Sequence, residues 1–281
     1  MPAWPLMVAI AAVAASPPVA PFDFIKSHVF VEGRLNGRKG TWLVDSGANT
    51  SVVTARAAAR SQCPPVEVRV ANDPYGMSRF VGVESLEVAG VKAGVPFAGV
   101  LPKLTDRIMR TDGVFIDGII GFDWLKQFRA TFDFKGRKLT LAPPGAPAVP
   151  APGRHVIPME ILNGVPMVPV SINGGPRRLC LLDTGANILN IRWDFAQASG
   201  IRPDDPTIVA GPRVRGLAGN KNTAAVQLKT LAVSKAVFPG VVVSLHDDDH
   251  LPWINGTLGN PLFEQYKLTL DARNKQVLLE R

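Results

Sequence analysis

Short apolar stretches recur along this chain, alternating with polar positions and closing on turn dipeptides, a pattern of half-buried strands. Val29–Leu35 alternates and runs into Asn36-Gly37. Both of those residues tolerate the left-handed backbone that a tight two-residue hairpin needs. Thr41–Val44 reads as a second short strand ending at Asp45. The same succession returns as Val168–Ile172, Asn173-Gly174 and Leu179–Leu182, ending at Asp183. Leu86–Val91 and Leu228–Val233 read as further strands. Each half closes on a hairpin, Ala130–Phe134 with Lys138–Leu141 and Lys267–Leu270 with Gln276–Leu279. Short helices are expected over Phe122–Phe128 and Asn260–Tyr266. The expected architecture is all-β with a little helix.

The pattern is a repeat in detail. Leu43-Val44-Asp45-Ser46-Gly47-Ala48-Asn49 returns in the second half as Leu181-Leu182-Asp183-Thr184-Gly185-Ala186-Asn187. Asp117-Gly118-Ile119-Ile120-Gly121 returns at the same spacing as Asn255-Gly256-Thr257-Leu258-Gly259. So do Gln127-Phe128 as Gln265-Tyr266 and Phe132-Asp133 as Leu270-Asp271. One register shared by distant segments means two copies of one fold. Between them runs Ala142 to Gly153, APPGAPAVPAPG, a composition that favours an extended spacer of about 3.1 Å per residue. The expected division is an N-terminal lobe over 21–141, a Pro-rich linker over 142–154 and a C-terminal lobe over 155–281.

Composition narrows the function classes. With 46% hydrophobic and 19% charged residues, the 281-residue chain has ample core material and no signature of disorder. Its net charge of +8 is scattered, the densest groups being Lys135–Lys138 and Arg213–Lys221 in expected hairpins without interleaved aromatics. No basic face suited to nucleic acid emerges. Leu6 to Ala15 is apolar, followed by Ser16-Pro17-Pro18. That run is too short to span a bilayer, and small residues at Ala12 and Ala14 suit signal peptidase. Residues 1–20 are therefore read as a signal peptide and the mature protein as periplasmic or secreted, without stable membrane insertion. Cys63 and Cys180 have neither metal-ligand nor disulfide-framework spacing, and both are expected as free thiols. His246-Asp247-Asp248-Asp249-His250 could hold a divalent metal if helical, but it has no counterpart in the other copy and reads as an exposed acidic loop. No metal or cofactor is expected.

The chemistry concentrates in the repeated turns. An Asp-(Ser/Thr)-Gly after one strand is a common turn. Two in register, each followed at one and the same distance by a glycine motif, are a different matter. Gly47 and Gly185 would let the opposite backbone come close, and the hydroxyls of Ser46 and Thr184 could bond across a pseudo-twofold axis. Asp45 and Asp183 would then meet and share a proton, because two carboxylates in contact cannot both ionise comfortably. A Ser nucleophile elbow, a zinc-protease helix, a phosphate loop and a dinucleotide fingerprint are all absent from the sequence.

LVDSGA and LLDTGA, with IIG and TLG downstream, resemble the retropepsin-like aspartic proteases. In particular the chain is similar to bacterial aspartyl-protease-family proteins that carry two such domains in tandem. The resemblance runs from about Val29 to the C-terminus. It implies two acid-protease barrel lobes related by pseudo-twofold symmetry, and the linker's reach and the two unequal lobes favour their pairing within one monomer. It also implies a peptide or protein substrate and Asp45 and Asp183 as catalytic residues. In that family the apolar-apolar-Gly element supports the active turn from behind, a role that carries to Ile119-Ile120-Gly121 and Leu258-Gly259. A flap hairpin is implied in each lobe, with Tyr75-Gly76-Met77 and Gly216-Leu217-Ala218-Gly219 as candidate tips. Ala48 and Ala186 stand where some members have a hydroxyl that lowers the carboxyl pKa, so a weakly acidic optimum is expected. A non-catalytic peptide-binding protein of the cell envelope that keeps the fold is the alternative.

Overall fold

The computed structural model describes residues 16–67, 79–101, 108, 112–145, 151–212, 214–216, 219–221, 223–246 and 253–281. In lobe one, β1 (Val19–Ile25), β2 (His28–Leu35) and β3 (Arg38–Val44) form consecutive antiparallel hairpins. The second turns at Asn36-Gly37, with φ of 46° and 80°. β4 (Val52–Val53) and β5 (Gly118–Ile120) follow, then β6 (Arg129–Asp133) and β7 (Lys138–Ala142). Lobe two repeats the order with β8 (His155–Pro158), β9 (Val165–Ile172), β10 (Arg178–Asp183), β11 (Leu189–Ile191), β12 (Gly256–Gly259), β13 (Lys267–Asp271) and β14 (Gln276–Glu280).

What joins the halves is one continuous stretch of sheet ordered β8-β14-β13-β6-β7-β1. Its centre is the antiparallel pair β6 and β13, where Thr131 stands opposite Thr269 and their hydroxyls are 2.8 Å apart. These residues are equivalents in the repeat, so the pseudo-twofold axis passes between them. Alternate residues of this stretch (Phe132, Leu139, Leu268, Leu270, Val277 and Leu279) are at most 1% exposed. They belong to one contiguous apolar cluster drawn from both lobes. Removing that surface from water at roughly 25 cal/mol per Å² is what holds the halves together.

Two parallel crossings then carry the site. β5 lies parallel to β3 and antiparallel to β4, while β12 lies parallel to β10 and antiparallel to β11. Gly118 and Gly259 are required by crowding, since an added Cβ would lie 2.5 Å from the Trp42 ring in the first case and from the Ala186 carbonyl oxygen in the second. Trp42, 1% exposed, is core. Thr257 stands half-buried where lobe one has fully buried Ile119, so a hydroxyl is accepted there.

Several elements differ from expectation. Leu86–Val91 is not one strand: Leu86–Val88 and Val91–Ala93 form a hairpin around Ala89-Gly90, both left-handed at φ 53° and 78°. The strand expected over Leu228–Val233 begins at Thr230 and turns back at Ser234 into Ala236–Pro239. The short helices shrink to Phe122–Leu125 and a single 3-10 turn over Asn260–Leu262. Two unforeseen helices, Ala55–Arg60 and Trp193–Ala198, follow β4 and β11. The first is capped by Thr54, whose hydroxyl accepts the Ala57 N–H at 3.0 Å. Both cysteines are free, Cys180 fully buried and Cys63 half-buried. Among the described residues no helix is long and apolar enough to cross a membrane.

Candidate active site

β3 runs directly into Asp45 and β10 ends at Asp183, where the chain leaves the sheet, and the next two residues make each turn. In each turn the aspartate caps its own loop. Asp45 Oδ1 accepts the N–H groups of Gly47 at 2.8 Å and Ala48 at 3.0 Å, and Asp183 Oδ1 accepts that of Gly185 at 2.8 Å. The crossings brace the turns from behind, Asp45 N–H donating to Ile120 O at 2.9 Å. Phe122 N–H and Asn260 N–H bond the Ala48 and Ala186 carbonyls at 2.7 and 2.9 Å.

The two turns clasp each other. Ser46 Oγ donates to Leu182 O at 2.8 Å and accepts the Thr184 N–H at 3.0 Å. Thr184 Oγ1 donates to Val44 O at 3.0 Å and accepts the Ser46 N–H at 3.0 Å. Both hydroxyls are buried. Four reciprocal hydrogen bonds out of water fix one turn against the other in a single register.

With that register set, each glycine faces the opposite acid. A Cβ at Gly47 would lie 2.5 Å from the Asp183 carboxyl carbon, and one at Gly185 would overlap that of Asp45. Each turn's glycine thus brings the other lobe's carboxyl across the axis, and the charge of Asp183 acts on Asp45. Both are densely surrounded by protein yet keep part of their surface open. Burial pushes Asp45 well above the ordinary carboxylate range, and the charge and hydrogen bond of Asp183 push the same way, against the Ala48 and Gly47 N–H groups. Burial also raises Asp183, with the Gly185 and Gly47 N–H groups pulling the other way. Two carboxyl groups opposed in this way are able to share one proton.

Structure adds residues that the repeat does not signal. Asn260, fully buried, donates through Nδ2 to Thr184 O at 2.6 Å and to Ser27 O at 2.7 Å. Asp123 accepts the N–H and hydroxyl of Ser51 at 2.9 and 2.7 Å, and Ser51 Oγ accepts the Gly121 N–H at 3.0 Å. The equivalents in lobe two are Leu189 and Pro261, so this brace exists in one copy only. Asn49 donates to Asn163 O at 3.3 Å, reaching a hairpin of the other lobe rather than its own turn. Asp133 and Asp271 cap hairpins, accepting the Gly136 and Asn274 N–H groups, as strand-to-turn chemistry predicts.

Of the candidate flap tips, Tyr75-Gly76-Met77 lies outside the described residues. In lobe two, Val214–Gly216 pairs with Gly219–Lys221 as a ribbon apart from both large sheets, its tip at 217–218 also outside them. The ribbon continues a hairpin rooted at Val209–Ala210 and Ala224–Gln227. Residues 247–250 of the acidic loop likewise lie outside the described residues.

A family model described as aspartyl protease matches residues 31–124 and again 168–262. The two matches keep the spacing of the repeat at their ends and fall one short of it at their starts. The β9–β10 loop accounts for this, since Asn173 there answers Asn36 and an extra residue follows it. Matched twice over most of its length, the chain belongs to the aspartyl protease family. No curated protein matches the sequence significantly.

Proposed function

We propose that the protein is an aspartic endopeptidase in which Asp45 and Asp183 activate one water against a peptide bond. The reciprocal clasp of Ser46 and Thr184, which sets each carboxyl against the other turn's glycine, carries this reading. The ionised member takes a proton from water as the water oxygen bonds to the carbonyl carbon. The protonated member hydrogen-bonds the carbonyl oxygen as it gains negative charge. Collapse of the tetrahedral species breaks the C–N bond, and a proton passes to the departing amine. Each turnover returns the pair to its singly protonated state with no covalent intermediate. The ribbon ending at 217–218 is the element to cover an extended peptide in the cleft. The substrate is a peptide or protein segment, and the apolar N-terminus supports export to a periplasm or beyond.

Because burial raises both carboxyls and the charge of Asp183 adds to the rise at Asp45, the singly protonated form is centred above the strongly acidic range. Rate against pH is expected as a bell with a weakly acidic maximum; a maximum near pH 2 would contradict the raised pair. Since both acids come from one chain joined by one core, specific activity is expected to stay constant on dilution. Its decline at constant total enzyme would indicate pairing between chains instead.

The reading is tested by incubating the protein with a diverse peptide mixture from pH 3 to 7 and identifying products by mass spectrometry. New termini should form with the native chain and vanish when both aspartates are replaced by Asn. Identical products from the two proteins would leave the binding-protein alternative.

A further inference from the structure

Each catalytic strand divides its side chains between two faces of the sheet. Cys180 and Leu182 of β10 enter the large core shared by both lobes, whereas Leu181 and Asp183 alternate to the opposite face. β3 does the same, with Trp42 and Val44 turned into that core and Leu43 to the other side. The registers then set a row of neighbours across the carboxyl-bearing face of each lobe. In lobe one Leu43 stands beside Ile119, Ile119 opposite Val52, and Val52 beside Gly99. In lobe two the same row reads Leu181, Thr257, Asn190 and Ser244. The first wall is apolar: Leu43, Val52 and Ile119 are buried in one cluster, against which Ala48 of the active turn packs. Its counterpart keeps Met167, Leu181 and Ile254 but breaks off where Thr257, Asn190 and Ser244 begin. His246 likewise takes the place of Leu101, the one N–H reaching Ile191 O at 3.3 Å and the other Val53 O at 3.2 Å.

Asn190 is the sharpest of these differences. It is 6% exposed, and its Oδ1 is buried with no hydrogen-bond partner among the described residues. A buried acceptor left unpaired is costly, and a donor arriving with a ligand removes that cost. Val52, its equivalent, has no such need. Asn190 lies two strands across and two residues down from Asp183. At the usual strand spacing and rise that is about 12 Å between backbones, within reach of a side chain flanking the scissile bond. Because the two carboxyls meet on the pseudo-twofold axis, residues on either side of that bond face opposite lobes. We propose that Asn190, with Thr257 and Ser244, forms a subsite for an uncharged hydrogen-bonding side chain, a carboxamide or hydroxyl, where the lobe-one wall of Leu43, Val52 and Ile119 takes an aliphatic one. The proposal deepens the peptidase reading and rests on it for the cleft, but the subsite can be read by binding as well as by turnover. Asn190 Oδ1 accepts from the incoming group, and half-buried Thr257 and buried Ser244 carry the hydroxyls on either side of it. A branched aliphatic group there leaves that oxygen unpaired and out of water, the condition under which hydrogen-bonding sites discriminate most strongly.

The test digests synthetic peptides of random sequence with the full chain and aligns the products on the cleaved bond by mass spectrometry. The native protein should favour aliphatic residues on one side of the bond. At the mirror position on the other side it should favour Asn, Gln, Ser or Thr, by about 10-fold over aliphatic residues. Asn190→Val and Thr257→Ile each copy the residue that lobe one carries at the same place. Asn190→Val should abolish the polar preference and Thr257→Ile reduce it, while kcat/KM for matched aliphatic peptides rises relative to polar ones, a ratio that a loss of stability alone does not move. If one variant folds poorly, the other decides. Aliphatic preference on both sides in the native chain, or a polar preference unchanged in both variants, would overturn the proposal. If the native chain cleaves nothing, the same library is passed over the immobilised protein. Retention of carboxamide and hydroxyl peptides that Asn190→Val releases would uphold the subsite and count against the peptidase reading, whereas equal retention by both proteins would overturn it.

Discussion

Replacing Asp45 with Asn is expected to slow peptide hydrolysis by about 10²- to 10⁴-fold, the usual worth of one positioned acid or base, while making the fold more stable at neutral pH. The second half follows from linkage. Burial raises the folded-state pKa of Asp45 above its unfolded value. Its contribution to stability is therefore fully present below the ordinary carboxylate pKa and is lost as pH rises through the raised one. At pH 7 the native chain holds an acid that would be protonated or ionised only at a cost, and the amide removes that cost. The melting temperature of Asp45→Asn should exceed that of the native protein at pH 7, with the gap closing toward pH 3. Asp183→Asn should behave alike, since burial raises its carboxyl too. A variant that loses activity and stability together at pH 7 would point to a structural acid instead.

Thr184→Val should damage the molecule by another route. The substitution keeps shape but deletes the hydroxyl that bonds Val44 O and the Ser46 N–H. Both partners are left unpaired out of water, at about 1–3 kcal/mol each, so a loss of about 2–5 kcal/mol is expected in chemical denaturation. Because the same bonds hold the carboxyls opposed, turnover should fall by roughly 10²-fold, as small misplacements of reacting groups do. Ser46→Ala removes the reciprocal bonds to Leu182 O and the Thr184 N–H. Since the four bonds form one network, the double variant should lose less than the sum of the two losses. Strict additivity would mean that the clasp does not act as a unit.

The sequence made the clasp legible because it is local chemistry repeated. A strand running into Asp-(Ser/Thr)-Gly can be recognised twice, and a shared spacing then pairs the copies. The terminal hairpins were readable for the same reason, with β6 and β13 alternating strictly. The meeting of β6 with β13 at Thr131 and Thr269 was not, because strand pairing across an axis leaves no mark on local periodicity. Ala89-Gly90 was missed as a turn because alanine seldom adopts positive φ, and the flanking valines read through it. Asn260 and the Ser51–Asp123 brace work at single positions far apart in sequence, so neither repeat nor spacing points to them.

Two acids from opposite halves of the chain, held in contact so that they keep one proton between them, are the basis of the proposed chemistry. Following both side-chain carboxyl carbons of the native protein by NMR from pH 2 to 9 reads this directly. Two well-separated steps should appear, with a single proton retained across the weakly acidic range. Simultaneous release of both protons near pH 4, as for independent surface aspartates, would contradict it.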